Sequence, residues 1–208
     1  MADVTLYGVG FSTYVRTCRL ALCEKGVEHR LVEHVPGSPE QRAVQPFGKV
    51  PALRHGEFTL YESPAICRYV DEAFDGPALQ PGDARARAVM MQWIGIFRDY
   101  LYAPVVKDVI IPRLVLKKPV DEARAAAGAA RAAEVLELVE RHLARSPWFA
   151  GTEISLADFF FVPATDYLRL VPEAHLLASR PNLTAWFERM SERPSMARIG
   201  IPTALPAS

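Results

Sequence analysis

Two adjacent side chains in the first third of the sequence could bind a zwitterionic amino acid. Glu62-Ser63 follows a β-prone segment and stands where a helical pattern begins. At such a helix start, the Ser63 hydroxyl and the backbone amides form an anion site, with the positive end of the helix dipole behind them. A carboxylate suits this site, and the Glu62 side chain can bind the matching ammonium group. The pair therefore predicts a site for the zwitterionic end of a γ-glutamyl group, although a plain helix cap is the alternative.

A proline eleven residues before Glu62 could expose backbone groups to a peptide ligand. Val50-Pro51 lies between a polar loop and a predicted strand, and its place in the order of elements favours a cis peptide bond. A cis bond would turn the amide and carbonyl of Val50 outward, where an extended thiol peptide could pair with them like an added strand. A proline that merely starts a strand is the alternative interpretation.

The elements that must position these residues form an α/β unit with the order βαβ followed by ββα. Hydrophobic periodicity predicts two parallel strands around a helix, and PALRHGEFTLYES predicts an antiparallel hairpin around His55-Gly56. Ser63 is expected to cap the last helix, PAICRYVDEAF. The predicted bounds are residues 3–8 and 28–35 for the parallel strands, 12–24 and 39–45 for the first helices, 51–63 for the hairpin, and 64–74 for the last helix.

A change in composition separates this unit from an all-helical one. Asp, Gly, Pro and Gln are concentrated over residues 75–81, and no convincing strand follows. We therefore predict a first domain over residues 1–76, a linker over 77–82 and a helical domain over 83–208. The helical domain should contain helices near 83–114, with a bend at Pro104, near 120–145, over DFFFVPATDYLRL, and near 173–179 and 182–191.

A capping box is predicted at the start of the apolar helix. In Ser155-Leu156-Ala157-Asp158, a hydroxyl at the cap position is followed three residues later by a carboxylate. We expect this pair to stabilise the fold and to have no direct role at a ligand site.

The composition of the chain limits the classes of partner that the protein is expected to bind. The chain has 24 basic and 24 acidic side chains, so no net charge attracts it to nucleic acid or to an anionic membrane. There is no apolar run of membrane-spanning length and no signal-like start, which predicts a cytoplasmic protein. Three cysteines without C-x-x-C spacing argue against a disulfide framework, and we expect no metal site.

The motifs together resemble those of a known family. YGVGFSTYVRTCRLALCEKG, QPFGKVPAL, LYESPAICRYV and SLADFFF occur in the order that is seen in cytosolic glutathione transferases, over nearly the whole chain. The chain looks closest to the serine-type phi and theta-like bacterial members, because Phe11-Ser12-Thr13 falls where that group has its catalytic serine. The resemblance implies a thioredoxin-like domain with a mixed four-stranded sheet, an all-helical bundle, and glutathione as co-substrate. It implies a glutathione site formed by Ser12, Lys49, Val50, Pro51, Glu62 and Ser63.

One departure from the phi pattern concerns the glycyl end of glutathione. Some phi members place a basic pair in the loop before the second helix, where this chain has Pro36 and Gly37. The resemblance therefore leaves the residue that binds the glycyl carboxylate unassigned.

Two hydroxyl groups compete to activate the thiol of glutathione. Tyr7 ends the first strand, where tyrosine-type members keep a catalytic phenol, and a phenol is intrinsically the stronger hydrogen-bond donor. Ser12 stands at a helix start, where the dipole and neighbouring amides add to the stabilisation of a thiolate. We favour Ser12, with Tyr7 as the alternative.

The resemblance also implies further contacts and partners. A small hydrophobic electrophile is expected against Phe11, Phe97 and Tyr100, and the protein is expected to form a homodimer through the 63–73 and 83–114 helices. Two other functions are possible on this fold: a glutathione-dependent thiol-disulfide oxidoreductase or peroxidase, and a non-catalytic dimeric scaffold. The first normally needs a reactive cysteine at the start of the first helix, where Gly10-Phe11-Ser12-Thr13 has none.

Overall fold

A computed structural model of the chain describes residues 3–116 and 118–201, which divide into two compact units. The first unit contains residues up to Gln80 together with the segment that begins at Pro194, and the second runs from Pro81 to Arg193. The predicted fold class is confirmed: the first unit has a mixed four-stranded sheet with helices, and the second is helical.

The first unit has the predicted order of strands and helices. Its elements are β1 (Val4–Tyr7), α1 (Thr13–Glu24), β2 (Arg30–Val32), α2 (Pro39–Val44), β3 (Ala52–His55), β4 (Phe58–Tyr61), α3 (Ser63–Ala73) and α10 (Pro194–Ile199). The sheet order is β2-β1-β3-β4. β1 pairs with β2 in parallel and with β3 antiparallel, and β3 and β4 form the expected hairpin.

The second unit is built from helices around an aromatic core. Its elements are α4 (Ala84–Ile96), a π-helical segment (Phe97–Ile110), α5 (Ile111–Leu114), α6 (Glu122–Leu143), α7 (Leu156–Leu168), a 3-10 turn (Pro172–Ala174), α8 (His175–Ala178) and α9 (Pro181–Ser191). Every residue of α7 is buried, as its apolar sequence predicts. No helix within the described ranges is long and apolar enough to cross a membrane.

The long predicted helix over residues 83–114 is continuous but does not have the form that we expected. Around Pro104, the chain adopts a π-helical segment of 14 residues that contains this proline. Proline has no amide hydrogen, so a local change in hydrogen-bond spacing is one way to accommodate it inside a helix. Gly128 of α6 fits against this segment, since a Cβ atom there would lie 2.9 Å from the Pro104 carbonyl oxygen.

Part of the predicted linker belongs to the first unit. The Asp71 carboxylate accepts a hydrogen bond from the Leu79 amide at 2.8 Å, and Leu79 is 1% exposed. Lys25, itself buried, donates to Asp71 at 3.3 Å and to the carbonyl of Pro77 at 3.1 Å. These contacts hold residues 77–80 against α1 and α3, so the two units divide after Gln80.

The C-terminal end of the predicted helical domain also belongs to the first unit. α10 packs on α1, where Ser195 donates to Glu24 and Arg198 donates to Glu28. The prediction of a helical domain over 83–208 is therefore corrected at its end, and its residues 202–208 lie outside the described residues. A six-residue helix after Pro194 has too little periodicity to reveal its packing partner in advance.

Candidate active site

The start of α3 has the features of an anion site. Ser63 is the first residue of the helix and is 6% exposed, while Glu62 precedes the helix and no side chain caps it. The expectation that Ser63 caps α3 is therefore wrong, because the helix begins one residue earlier than a Ser63 cap requires. A helix start without a side-chain cap keeps its first amides and its dipole for an external carboxylate.

The backbone at Glu62 is strained. Its φ is 70°, and it is the only non-glycine residue with a positive φ in the described part of the chain. Such a conformation costs about 1 kcal/mol or more and is found at ligand-binding sites more often than elsewhere. The strained residue is the one that joins β4 to α3, directly before the helix start.

The Val50-Pro51 turn lies at the end of the sheet. The peptide bond between these residues is cis, as predicted. Pro51 leads into β3, in which Ala52 pairs with Tyr7 of β1. Within the described residues, neither the amide nor the carbonyl of Val50 has a hydrogen-bond partner. These two groups can therefore pair with an extended ligand.

Ser12 caps α1 and remains able to donate a hydrogen bond. Its Oγ accepts from the Val15 amide at 3.4 Å, and the side chain is half-buried. A hydroxyl can accept one hydrogen bond and donate another, so the cap leaves the Ser12 proton available to a bound anion. Glu33, at the end of β2, supports the preceding loop by accepting from the Gly10 amide at 3.1 Å.

Gly8 brings the start of α1 next to the Val50 turn. A Cβ atom at this position would lie 2.6 Å from Val15 Cγ2 and 3.0 Å from Val50 Cβ. Gly8 also has a φ of 149°, which side chains rarely adopt. Only glycine permits this close approach. Gly8 therefore lies between the first turn of α1, which Ser12 caps, and Val50, whose backbone groups have no partner among the described residues.

Tyr7 is packed within the sheet. It is 6% exposed, and its ring centroid is 4.9 Å from that of His34. The guanidinium group of Arg54, on β3, lies 5.5 Å from the centroid of the Tyr7 ring. A phenol held between these neighbours has little freedom to reach a ligand beyond the sheet. This environment favours Ser12 over Tyr7 as the donor to a thiol.

The residues expected against the electrophile have different environments. Phe11 is half-buried in the loop before Ser12, and Tyr100 is 65% exposed. Phe97 is fully buried, with its ring centroid 5.3 Å from that of Phe161. Phe97 therefore belongs to the aromatic core of the helical unit, where such residues are usually found. A pocket at Phe11 and Tyr100 stays a prediction.

The cysteines have the character of structural residues. Cys18 and Cys67 are fully buried with their Sγ atoms 3.8 Å apart, and the hydrogen bond between them, together with burial, raises the pKa of Cys67 well above its usual range. A thiol of raised pKa is a poor nucleophile, which disfavours the oxidoreductase alternative. Within the described ranges, no group of three or more His, Cys, Asp or Glu side chains is placed to hold a metal ion.

Sequence reasoning missed several residues that shape this site: Gly8, Glu33, Gln41 and Gln45. Gln41 lies in α2 and Gln45 directly follows this helix, and their i, i+4 spacing is the signal in the sequence that could have marked them as neighbours. The contact of Glu33 with Gly10 joins residues 23 apart in the sequence, whereas Gln41 and Gln45 contact a residue 8 and 4 positions further on.

Comparison with known proteins agrees with this geometry. Residues 6–78 match the model of the glutathione S-transferase N-terminal domain, and residues 102–194 match that of the C-terminal domain. Glutathione S-transferase F10 of Arabidopsis thaliana is 31% identical, over 98% of this chain and 99% of the relative.

Solved structures extend the likeness to three dimensions. Poplar glutathione transferase F1 superposes with a TM-score of 0.87 at 32% identity, covering 96% of this chain and 97% of that one. Glutathione S-transferase I from maize, solved with an atrazine glutathione conjugate, has a TM-score of 0.86 at 31% identity over 98% of this chain and 100% of that one. Both comparisons cover nearly the full length of each chain, and the chain described here belongs to the glutathione S-transferase family.

Proposed function

We propose that this chain is a serine-type glutathione transferase, similar to phi and theta-like members, in which Ser12 activates the thiol of glutathione for attack on small hydrophobic electrophiles. The observation that carries the proposal is the close approach at Gly8, where the capped start of α1 meets the open backbone of Val50. A peptide paired with Val50 would place its thiol near the Ser12 hydroxyl.

The rest of the glutathione molecule follows from the same geometry. The γ-glutamyl carboxylate binds at the start of α3 against Ser63, and the ammonium group binds Glu62. The cysteinyl backbone pairs with Val50, which precedes Pro51 and the start of β3. Lys49 is exposed beside this turn and completes the set that the family resemblance implies. The maize relative that was solved with a glutathione conjugate supports this class of ligand.

Activation of the thiol requires a moderate free energy. A free thiol with a pKa of about 8.5 is mostly protonated at pH 7, so the site must favour the thiolate. Lowering this pKa by two units requires about 2.7 kcal/mol. A charge-assisted hydrogen bond from Ser12 supplies about 1.5–3 kcal/mol, and the dipole of the 12-residue helix α1 adds to it. The thiol proton leaves to solvent, and the thiolate forms a bond to the electrophilic carbon as the leaving group departs with its electron pair or, in an addition, as a π bond opens.

The assignment of the activating group predicts opposite behaviour of two variants. Ser12→Ala should raise the pKa of bound glutathione by about one unit or more, equivalent to about 1.4 kcal/mol, whereas Tyr7→Phe should leave it nearly unchanged. The pKa is read from thiolate absorbance as a function of pH, alongside turnover of a panel of electrophiles by the unaltered protein. A rise in Tyr7→Phe alone would make this a tyrosine-type enzyme, and an unaltered protein that binds no glutathione would refute the proposed function.

We also propose that the protein is a cytoplasmic homodimer. Apolar side chains are exposed on each unit next to the helices expected at the interface: Phe58 (48%) and Tyr61 (37%) on β4 beside α3, and Val89 (37%) and Met91 (50%) on α4. Burial of these apolar side chains against a partner subunit would favour the assembly.

The dimer has a direct test. Light scattering at micromolar concentration should give twice the 23.1 kDa of one chain. Phe58→Glu should shift the equilibrium towards the monomer, because it would place a charge in an apolar contact. Val35→Glu, at a residue 66% exposed in the loop after β2, serves as the matched control and should remain dimeric. A monomer peak for the unaltered protein would count decisively against the assembly.

A further inference from the structure

Two buried glutamines hold the backbone of Lys49 from both sides. Gln41 is fully buried, and its Nε2 donates to the Lys49 carbonyl at 2.6 Å. Gln45 is 1% exposed, and its Oε1 accepts from the Lys49 amide at 2.9 Å. Both backbone groups of Lys49 are therefore bound to side chains, of Gln41 in α2 and of Gln45 directly after it, rather than to other backbone groups.

The chemistry of the contacts determines the orientation of the Gln41 amide. The Lys49 carbonyl can only accept, so the nitrogen of Gln41 must face it. The Gln41 oxygen then faces His34 Nδ1 at 3.2 Å, which means that His34 donates this hydrogen bond. Because both ends of its amide are hydrogen-bonded, the Gln41 side chain is held in one orientation. It therefore also fixes the position of the Lys49 carbonyl.

Holding the Lys49 carbonyl also aims the Val50 amide. The Lys49 carbonyl and the Val50 N–H belong to one trans peptide unit, in which these two groups point in opposite directions. Gln41 binds the carbonyl on the α2 side, so the Val50 N–H points away from α2, and it has no partner among the described residues. Gln45 fixes the preceding peptide unit, between Gly48 and Lys49, by accepting from the Lys49 N–H.

We propose that Gln41 and Gln45 are positioning residues that orient the Val50 backbone for pairing with glutathione. The inference rests on the proposed function, since it needs glutathione as the ligand of Val50. Neither glutamine touches the ligand. Each acts through the peptide units of Lys49. Because these contacts order the turn before glutathione binds, less of the binding free energy is lost in ordering it.

The same substitution at the two positions should have opposite results. Gln45→Glu keeps an oxygen that accepts from the Lys49 amide, so the Kd for glutathione should stay within about twofold of the unaltered protein. Gln41→Glu places an acceptor against the Lys49 carbonyl, and loss of one hydrogen bond of this kind should raise the Kd about tenfold. Gln41→Met, which has similar volume and no donor, should repeat the effect if Gln41→Glu fails to fold.

The experiment measures the Kd for glutathione by calorimetry, together with the KM for glutathione and kcat at a saturating electrophile, and the pKa of the bound thiol. The inference expects KM and Kd to rise while kcat and the thiol pKa stay constant, since Ser12 is untouched. Asp158→Asn, in the helical unit, is the control for a general loss of stability. A weakening of binding in this control equal to that in the Gln41 variants would overturn the inference.

Failure of the inference can be told from failure of the proposed function. If the unaltered protein binds glutathione and both Gln41 variants bind it within twofold, the glutamines only fasten α2 and the inference is wrong. If the unaltered protein binds no glutathione, the proposed function is wrong and the inference falls with it.

Discussion

Replacing Glu62 or Ser63 by alanine should weaken glutathione binding by about 2–4 kcal/mol, which is about 30-fold to 1,000-fold in Kd. Glu62→Ala removes the partner of the ammonium group, and Ser63→Ala removes a hydroxyl from the anion site at the start of α3. Calorimetry with glutathione measures the change. Glu57→Ala, at an exposed acidic residue in the turn before β4, is the matched control and should bind normally.

The strained backbone at Glu62 makes this prediction sharper. Glu62→Gly should relieve the cost of a φ of 70° and raise the free energy of unfolding by up to about 1 kcal/mol, while it weakens glutathione binding as strongly as Glu62→Ala. Stability and affinity would then move in opposite directions, as expected where strain is retained for function. Normal binding by all three variants would show that this pair has only a structural role.

Asp158→Ala should lower the free energy of unfolding by about 3 kcal/mol or more without weakening glutathione binding by the folded protein. The capping box is present, and the Asp158 carboxylate accepts from the Ser155 amide at 2.8 Å, the Phe149 amide at 3.3 Å and Trp186 Nε1 at 2.8 Å. Alanine would leave these buried donors unsatisfied, at about 1–3 kcal/mol each. Urea unfolding measures the loss. A folded variant that no longer binds glutathione would contradict the assignment.

The same carboxyl group should make stability depend on pH. Burial raises the pKa of Asp158 from 3.8 to about 6, against the opposing effect of its hydrogen bonds. The folded state therefore holds a proton that the unfolded state releases between about pH 4 and pH 6. This contribution is present below the unfolded pKa and is lost as the pH rises through the folded pKa, by up to about 3 kcal/mol.

Asp158→Asn isolates this effect, because the amide does not titrate. The difference in unfolding free energy between the unaltered protein and Asp158→Asn should fall as the pH rises from about 4 to 7, while all other groups cancel. A difference that increases with pH would mean that the hydrogen bonds outweigh burial and hold the carboxyl pKa below its usual value.

The sequence by itself determined the features that depend on near neighbours along the chain. The helix start at Ser12, the hairpin around His55-Gly56 and the capping box at Ser155 each rest on side-chain chemistry within three or four residues. The order of these motifs was also sufficient to indicate the family, since a family pattern is a property of order and spacing.

The tertiary structure decided what depends on distant contacts. Whether Phe97 packs in a core or faces a ligand depends on which helix covers it, and periodicity is silent on that choice. The fastening of residues 77–80 by Asp71 and the packing of α10 on α1 likewise join segments far apart in sequence.

The site itself shows the same division. Glu62 and Ser63 were recognisable from the sequence, but the uncapped start of α3 and the strained φ of Glu62 are consequences of how β4 leads into the helix. The sequence gives no indication that Gly8 is important. Its role follows from the structure, in which Val15 and Val50 lie against it. Side-chain types and spacing identify candidate groups, and the physical reason that they can act together is close packing, which sequence spacing does not encode.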